Sequence, residues 1–265
     1  EDLVEVWFQP VMSADGARLL SAEALARWHD PEDGAIPPDR FFAIAEKHNL
    51  LDPLHQTVLD KALVAMADWQ RRGLWLPALT INLSETEVKM HGLVDRLRFL
   101  IDREDIDPRR LAVEVAETTA TCRGAELAVA ALGELRGLGL GVIVDHFGRD
   151  QAALANLAKL GATGVKIDRG VVAQLGQSAD STTLLSGLAT LAHSMKLQVV
   201  AKGVENRDQL AILEGIDCEG LQGVAVARPM SAESFAEWMV FNAPEAGCDD
   251  TEATELRPDD PRLSA

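Results

Sequence analysis

Short apolar runs in this chain break off, one after another, at a polar side chain, and this spacing limits the fold more than any other feature. Glu23 follows ARLLSA, Asn82 follows PALTI, Glu114 follows RRLAV, Asp145 follows GLGVIV, Lys166 follows GATGV, Lys202 follows KLQVVA and Gln222 follows CEGL. Short β-branched runs read as strands, which puts an acid, amide or amine at or near the end of nearly every one. In a (β/α)8 barrel the carboxyl ends of the strands meet on one face, where side chains distant in sequence come together. Three carboxylates converging there repel one another unless positive charge lies between them. A divalent metal is the simplest source of that charge.

Helical and strand signals alternate through the body of the chain. Apolar residues at helical spacing mark 39–48 and 52–72, with Leu54, Val58, Leu59, Ala62, Leu63 and Met66 on one stripe, and 77–83 then reads as a strand. Further helices are predicted near 85–102, 125–138, 151–159, 182–195, 207–214 and 232–241, with strands at Leu111, Gly141, Gly164, Leu197 and Gly220 between them. Strands separated by helices of this length mean βαβ units and a parallel sheet. The start differs: 3–11 and 18–28 are separated by little more than Ser-Ala-Asp-Gly, a hairpin signal, so the first strand is expected to run antiparallel to the second. The segment 1–242 thus reads as one barrel domain. The remainder, 243–265, is rich in acid and proline and reads as a disordered tail.

At 265 residues the chain has the usual size of such a barrel, about 250 residues. No stretch qualifies as transmembrane; the most apolar one, 127–144, carries Glu134, Arg136 and four glycines and reads as helix, turn and buried strand. The chain starts without Met, which points to excision from a longer protein whose other part has room for a membrane anchor. A net charge of −17 repels nucleic-acid polymers, yet a small anionic ligand needs only local cations, and Arg27, Lys166 and Lys202 are placed to supply them. Cys122, Cys218 and Cys248 are odd in number and far apart, which suggests free thiols and a cytoplasmic location.

Nine motifs then give a specific resemblance. FQP at 8–10, EALARW at 23–28, INLS at 81–84, VEVAE at 113–117, VDHFG at 144–148, KIDR at 166–169, KGVE at 202–205, QG at 222–223 and ARP at 227–229 come in the order and spacing of the EAL-domain family. The chain resembles these cyclic di-GMP phosphodiesterases and their non-catalytic relatives over residues 3–241. The resemblance implies a TIM-like (β/α)8 barrel with an antiparallel first strand. It implies cleavage of cyclic di-GMP to linear pGpG with two Mg or Mn ions and a water activated between them. Glu23, Asn82, Glu114 and Asp145 match the ligands of the first metal, Lys166 the lysine that orients the water, and Gln222 a residue near it. Gln9, Glu23, Leu25, Arg27, Asp145, Lys166 and Pro229 match ligand-binding positions, and Glu117 matches a glutamate that steadies the loop after the Asp145 strand.

The departures from the family shape the expected function. Active members carry two adjacent aspartates where this chain has Asp145 and His146, and a glutamate where it has Lys202. At about 4 Å each unit of that two-unit charge swing is worth roughly 4 kcal/mol at an effective dielectric of 20, so the second metal site is expected to be lost. GRDQAA at 148–153 replaces a glycine-rich stretch, and Ala116 replaces a threonine. The expectation is a degenerate EAL domain acting as a cyclic di-GMP receptor or signalling module with little or no hydrolysis, its Lys166 and Gln222 vestigial and Mg or Mn confined to the first site. The alternatives are a working phosphodiesterase with His146 as a metal ligand, and a nucleotide-independent scaffold. Other domains of the same polypeptide, a protein partner and a homodimer are the expected associations. The blander readings are a solvent-facing Lys202, an ion-paired structural Lys166 and a buried, hydrogen-bonded His146. His29, His48, His55, His91 and His193 read as residues of turns and helices without partners.

Overall fold

Aliphatic residues alternate with small or polar ones along each predicted strand, and the computed structural model, which describes residues 3–30, 32, 34–48, 50–149 and 157–242, turns that alternation into a closed barrel. Its strands are β1 (Val4–Ser13), β2 (Leu19–Asp30), β3 (Gly34–Ile36), β4 (Leu79–Leu83), β5 (Leu111–Ala116), β6 (Gly141–Phe147), β7 (Gly164–Ile167), β8 (Gln198–Lys202), β9 (Gly220–Gln222) and β10 (Met230–Ser231). The ring runs β1-β2-β4-β5-β6-β7-β8-β9 and closes back on β1, with β3 and β10 paired outside it. β1 is antiparallel to both its ring neighbours, and the other ring pairs are parallel. The expected antiparallel first strand is therefore present, made by a turn in which Gly16 takes the left-handed conformation at φ +71°.

Helices α1 (Pro38–Lys47), α2 (Leu51–Arg71), α3 (Glu85–Val88), α4 (Leu93–Glu104), α5 (Ala125–Gly137), α6 (Leu157–Leu160), α7 (Arg169–Val172), α8 (Ala179–Ser194), α9 (Arg207–Leu213) and α10 (Ala232–Asn242) complete the described elements. The single helix expected over 85–102 is two. A capping box between Ser84 and Glu87 starts α3, and Gly92, at φ +84°, breaks the run before α4. The helix α7 has no counterpart among the predicted elements; Asp168 caps it by accepting from Gly170 N. Of the helix expected over 151–159, residues 151–156 lie outside the described residues, as do 150–153 of the altered loop, Cys248 and the tail 243–265. No described helix is long and apolar enough to cross a membrane. Cys122 and Cys218 are free thiols.

Alternation decides what each strand shows to each side. Ile81, Val113, Val144, Val165, Val199 and Leu221 are buried on the helix side, each worth about 1.5–3 kcal/mol against exposure. The residues that alternate with them face the lumen: Asn82, Glu114, Asp145, Lys166, Lys202 and Gln222. Register sets them near one level, with Asn82 opposite Glu114 and Lys202 opposite Gln222. Against the outer face of β1, Trp69 and Phe235 pack on Phe8 at 4.7 and 5.9 Å between ring centroids, closing the core between α2 and α10.

Candidate functional site

Three carboxylates, two ammoniums and three amides converge at the mouth. Glu23 is at the centre: its Oε1 accepts from Asn82 Nδ2 at 2.9 Å, and its Oε2 accepts from Lys166 Nζ at 2.7 Å and Gln222 Nε2 at 2.8 Å. Lys166 also pairs with Glu114. Lys202 Nζ lies 2.7 Å from Asp145 Oδ2, 3.2 Å from Glu114 Oε1 and 3.8 Å from Glu23 Oε1. Gln9 donates to Ala227 O at 3.0 Å and meets Gln222 at 3.5 Å, tying β1 to the segment after β9. Glu23, Glu114, Lys166 and Gln222 are fully buried, so these charges interact through little water.

Burial governs the electrostatics, and the ammoniums then sort the acids. For Glu23 burial opposes ionisation, but Lys166 and Lys202 outweigh it and hold the carboxyl far below its usual range. For Glu114 burial dominates, the Glu23 charge adds to it, and the two lysines offset only part, leaving it pushed up to about 7. Burial opposes ionisation of Asp145 too, and Lys202 overcomes it and draws the group down. Burial likewise disfavours both ammoniums, yet their carboxylate neighbours raise Lys166 and Lys202 above the ordinary range.

Several expectations shift against this geometry. Glu23 is not at the end of its strand: β2 runs on to Asp30 because, after leaving β4 at Ala24, it stays paired to β1 as far as Trp28. The solvent-facing reading of Lys202 fails, since three carboxylates hold its ammonium. His146 is hydrogen-bonded but not buried: its side chain is 43% exposed, with Nδ1 2.8 Å from Asp168 Oδ2 and Nε2 3.4 Å from Asp145 Oδ2. Its φ of +62° falls where the β6–β7 register shifts between Val144 and Phe147. Asp168, unassigned by sequence, thus anchors the residue that replaces an acid; its place inside the KIDR motif was the available signal. His55 and His193 do have partners, Glu87 at 2.6 Å and Glu219 at 3.1 Å, made across elements that helix periodicity does not relate.

Other predicted residues lie around the cluster. Arg27 donates to Ala26 O at 2.9 Å and sits over the Trp7 ring, on the part of β2 that passes the rim. Leu25 is its half-buried neighbour one strand pair inward, and Pro229 is half-buried just before β10. Glu117 is buried in the turn after β5. Beside Asp145 a cavity of about 510 Å³ is lined by Ala116, Glu117, Thr118, His146 and Arg149.

By donor type the carboxylates and Asn82 suit a hard divalent ion. Their arrangement does not: the Glu23, Glu114 and Asp145 oxygens converge on ammonium nitrogens, with the Lys202 Nζ within 4 Å of all three acids. Among the described residues no group of three or more His, Cys, Asp or Glu side chains is placed to hold a metal. Asp145 Oδ1 and Gln222 Oε1 are buried without a hydrogen-bond partner. What the arrangement does as it stands is hold a nearly charge-balanced polar floor under an open rim.

Comparison with known proteins identifies the family. The chain is 35% identical over 228 residues to the bifunctional diguanylate cyclase/cyclic di-GMP phosphodiesterase MucR of Pseudomonas aeruginosa, covering 86% of this chain and 33% of that one. It is 33% identical over 232 residues to the oxygen sensor protein DosP of Escherichia coli, covering 88% and 29%. The chain therefore spans about a third of the length of these curated relatives. Among solved structures, the c-di-GMP complex of the PaMucR phosphodiesterase superposes with a TM-score of 0.82 at 34% identity, covering 88% of this chain and 94% of that one. The FimX EAL domain from Pseudomonas aeruginosa bound to c-di-GMP shares the fold, with a TM-score of 0.77 at 22% identity over 86% and 91% of the two chains. The sequence pattern of the EAL domain matches residues 1–229, and with the barrel and its polar floor in place this chain belongs to the EAL domain family, of the cyclic di-GMP signalling kind.

Proposed function

We propose that this domain binds cyclic di-GMP at the barrel mouth and hydrolyses it little or not at all. The observation that carries the reading is the Lys202 ammonium held among Glu23, Glu114 and Asp145. A tethered cation supplies the charge that these acids need, and a divalent ion joins them only by displacing it. Mg or Mn at Glu23, Asn82, Glu114 and Asp145 is accordingly weak, and the second site is lost with His146. Nucleotide binding is assigned to Gln9, Leu25, Arg27 and Pro229 at the rim, where a guanidinium fork matches a phosphate, with Lys166 and Gln222 retained as vestiges of the reaction. Other domains of the same polypeptide, a protein partner and a homodimer belong to the same proposal.

The test is calorimetric titration of cyclic di-GMP into the wild type and Arg27→Ala, with EDTA or with Mn, while pGpG is followed in the same samples. Binding without metal, lost in Arg27→Ala, is expected, with turnover at least about a hundredfold below one per second, because losing one ion's stabilisation costs several kcal/mol. The similarity to the PaMucR phosphodiesterase favours a second reading, a working phosphodiesterase, which turnover near one per second with Mn would establish. No heat of binding at high ligand concentration leaves a nucleotide-independent scaffold.

A further inference from the structure

Beyond the rim, the β1–β2 ribbon carries a second feature. Past the last β2–β4 pair at Ala24, the ribbon continues through Trp7 opposite Leu25, Val6 opposite Ala26, Glu5 opposite Arg27 and Val4 opposite Trp28. Val6, Phe8, Ala24 and Ala26 are buried, so alternation puts Trp7, Leu25 and Arg27 on the face that Gln9 and Glu23 present to the cluster. The Arg27 Cζ lies 5.6 Å from the Trp7 ring centroid. Trp7 Nε1 donates to Glu5 Oε2 at 3.0 Å, and Arg27 donates to Ala26 O at 2.9 Å. The chain has no tyrosine, and Phe8 and Phe147, the phenylalanines of the ring strands, are fully buried. Among the described residues, the exposed rings of Trp75, Phe99 and Phe241 belong to the outer helices and the turn after α2.

We propose that Trp7 and Arg27 form the platform for one guanine of cyclic di-GMP, with Trp7 against one side of the guanidinium and the base stacked on the other. The inference rests on the receptor reading and extends it to Trp7, a positioning residue for Arg27. Guanidinium and purine are both planar, and a ring behind the guanidinium keeps its plane toward the mouth while its edge donors remain for phosphate. Stacking on such a surface is worth about 1–3 kcal/mol per base, so truncation is expected to weaken binding on the order of tenfold.

Calorimetry with cyclic di-GMP and with cyclic di-UMP, whose bases are smaller single rings, tests this on wild type, Trp7→Leu, Trp7→Phe and Arg27→Lys. Trp7→Leu is expected to raise the Kd for cyclic di-GMP about tenfold and to leave that for cyclic di-UMP nearly unchanged, with Trp7→Phe close to wild type. The losses in Trp7→Leu and Arg27→Lys are expected to fall short of additive when combined, because they disable one platform. An unchanged Kd in a folded Trp7→Leu, or equal weakening for both ligands, overturns the platform and leaves the receptor reading standing. Wild type that binds no cyclic di-GMP overturns the receptor reading itself. Should Trp7→Leu not fold, quenching of tryptophan emission by cyclic di-GMP decides: it is expected to drop sharply in Trp7→Phe, and equal quenching overturns the platform.

Discussion

Replacing Lys202 with methionine keeps the length of the side chain and removes the charge that three acids share. At an effective dielectric of 20, its contacts at 2.7, 3.2 and 3.8 Å are each worth about 4–6 kcal/mol before desolvation. Much of that is offset by the cost of taking the ammonium out of water, and breaking such a buried pair by removing one partner costs about 3–5 kcal/mol net. In a domain of this size 1 kcal/mol moves the melting temperature by about 2–4 °C, so Lys202→Met is expected to melt roughly 10 °C lower at pH 7. The dependence on pH is the sharper test. Glu114 has a folded pKa of about 7, above its unfolded value, so its contribution is fully present below about pH 4.5 and is lost as pH rises through 7. Asp145 is held below its ordinary value, and its contribution is lost only as pH falls through that lower value. Without Lys202 both folded values rise, so the deficit of the variant is expected to grow between pH 5 and 8 and to shrink toward acid. Thermal melts across that range measure it. A melting temperature within about 2 °C of wild type at every pH would mean that Lys202 points to solvent and that the charge argument is wrong.

Three further outcomes follow from the same geometry. His146→Gly is expected to be about 1 kcal/mol more stable than His146→Ala, because both lose the Asp168 contact while only alanine keeps a Cβ in the left-handed region; denaturant midpoints compare them. Gly223→Ala places a methyl 2.1 Å from Val204 O and 2.3 Å from Val204 N, so a loss of about 3 kcal/mol or more and displacement of Gln222 are expected in chemical denaturation, whereas Gly133→Ala, inside α5 with nothing within 4 Å, is expected to gain about 0.5–1 kcal/mol. His146→Asp combined with Lys202→Glu is expected to restore Mn-dependent pGpG formation where neither single change does; equal, additive gains from the single variants would place the defect in the loop after β6 rather than in the charge.

The barrel was legible because alternation and βα spacing are local properties. Asn82, Glu114, Asp145, Lys166, Lys202 and Gln222 each follow an apolar run, and lumen-facing register then brings them to one level. What was hidden depends on pairing between distant strands. That β2 passes Glu23 and runs on along β1 cannot be seen in ALARWH, whose alternation fits a strand ending anywhere. Whether Lys202 points at Asp145 or at water is settled by the β8–β9 register and by the acids it meets across the lumen, not by KGVE. The break between α3 and α4 turns on one glycine in a left-handed conformation, and the Asp168 contact of His146 turns on a register shift, neither of which has a periodic signature.

The lysine at position 202 also bears on why the barrel is stable with this floor. With a glutamate there, as the resemblance to active members implies, four carboxylates would surround the single ammonium of Lys166, and the cluster would carry a charge of about −3, which favours a bound divalent ion. With Lys202 the same count is three carboxylates against two ammoniums, and a proton on Glu114, whose pKa is about 7, removes what is left near neutrality. Folding then needs no ion. Lys202 thus relieves, with a side chain, the repulsion among Glu23, Glu114 and Asp145 that a bound cation would otherwise balance. Arg27, Leu25 and Trp7 stand on the ribbon beyond the last β2–β4 pair at Ala24; burial disfavours the Arg27 guanidinium and the Glu23 charge opposes that effect, so rim and floor are electrostatically linked.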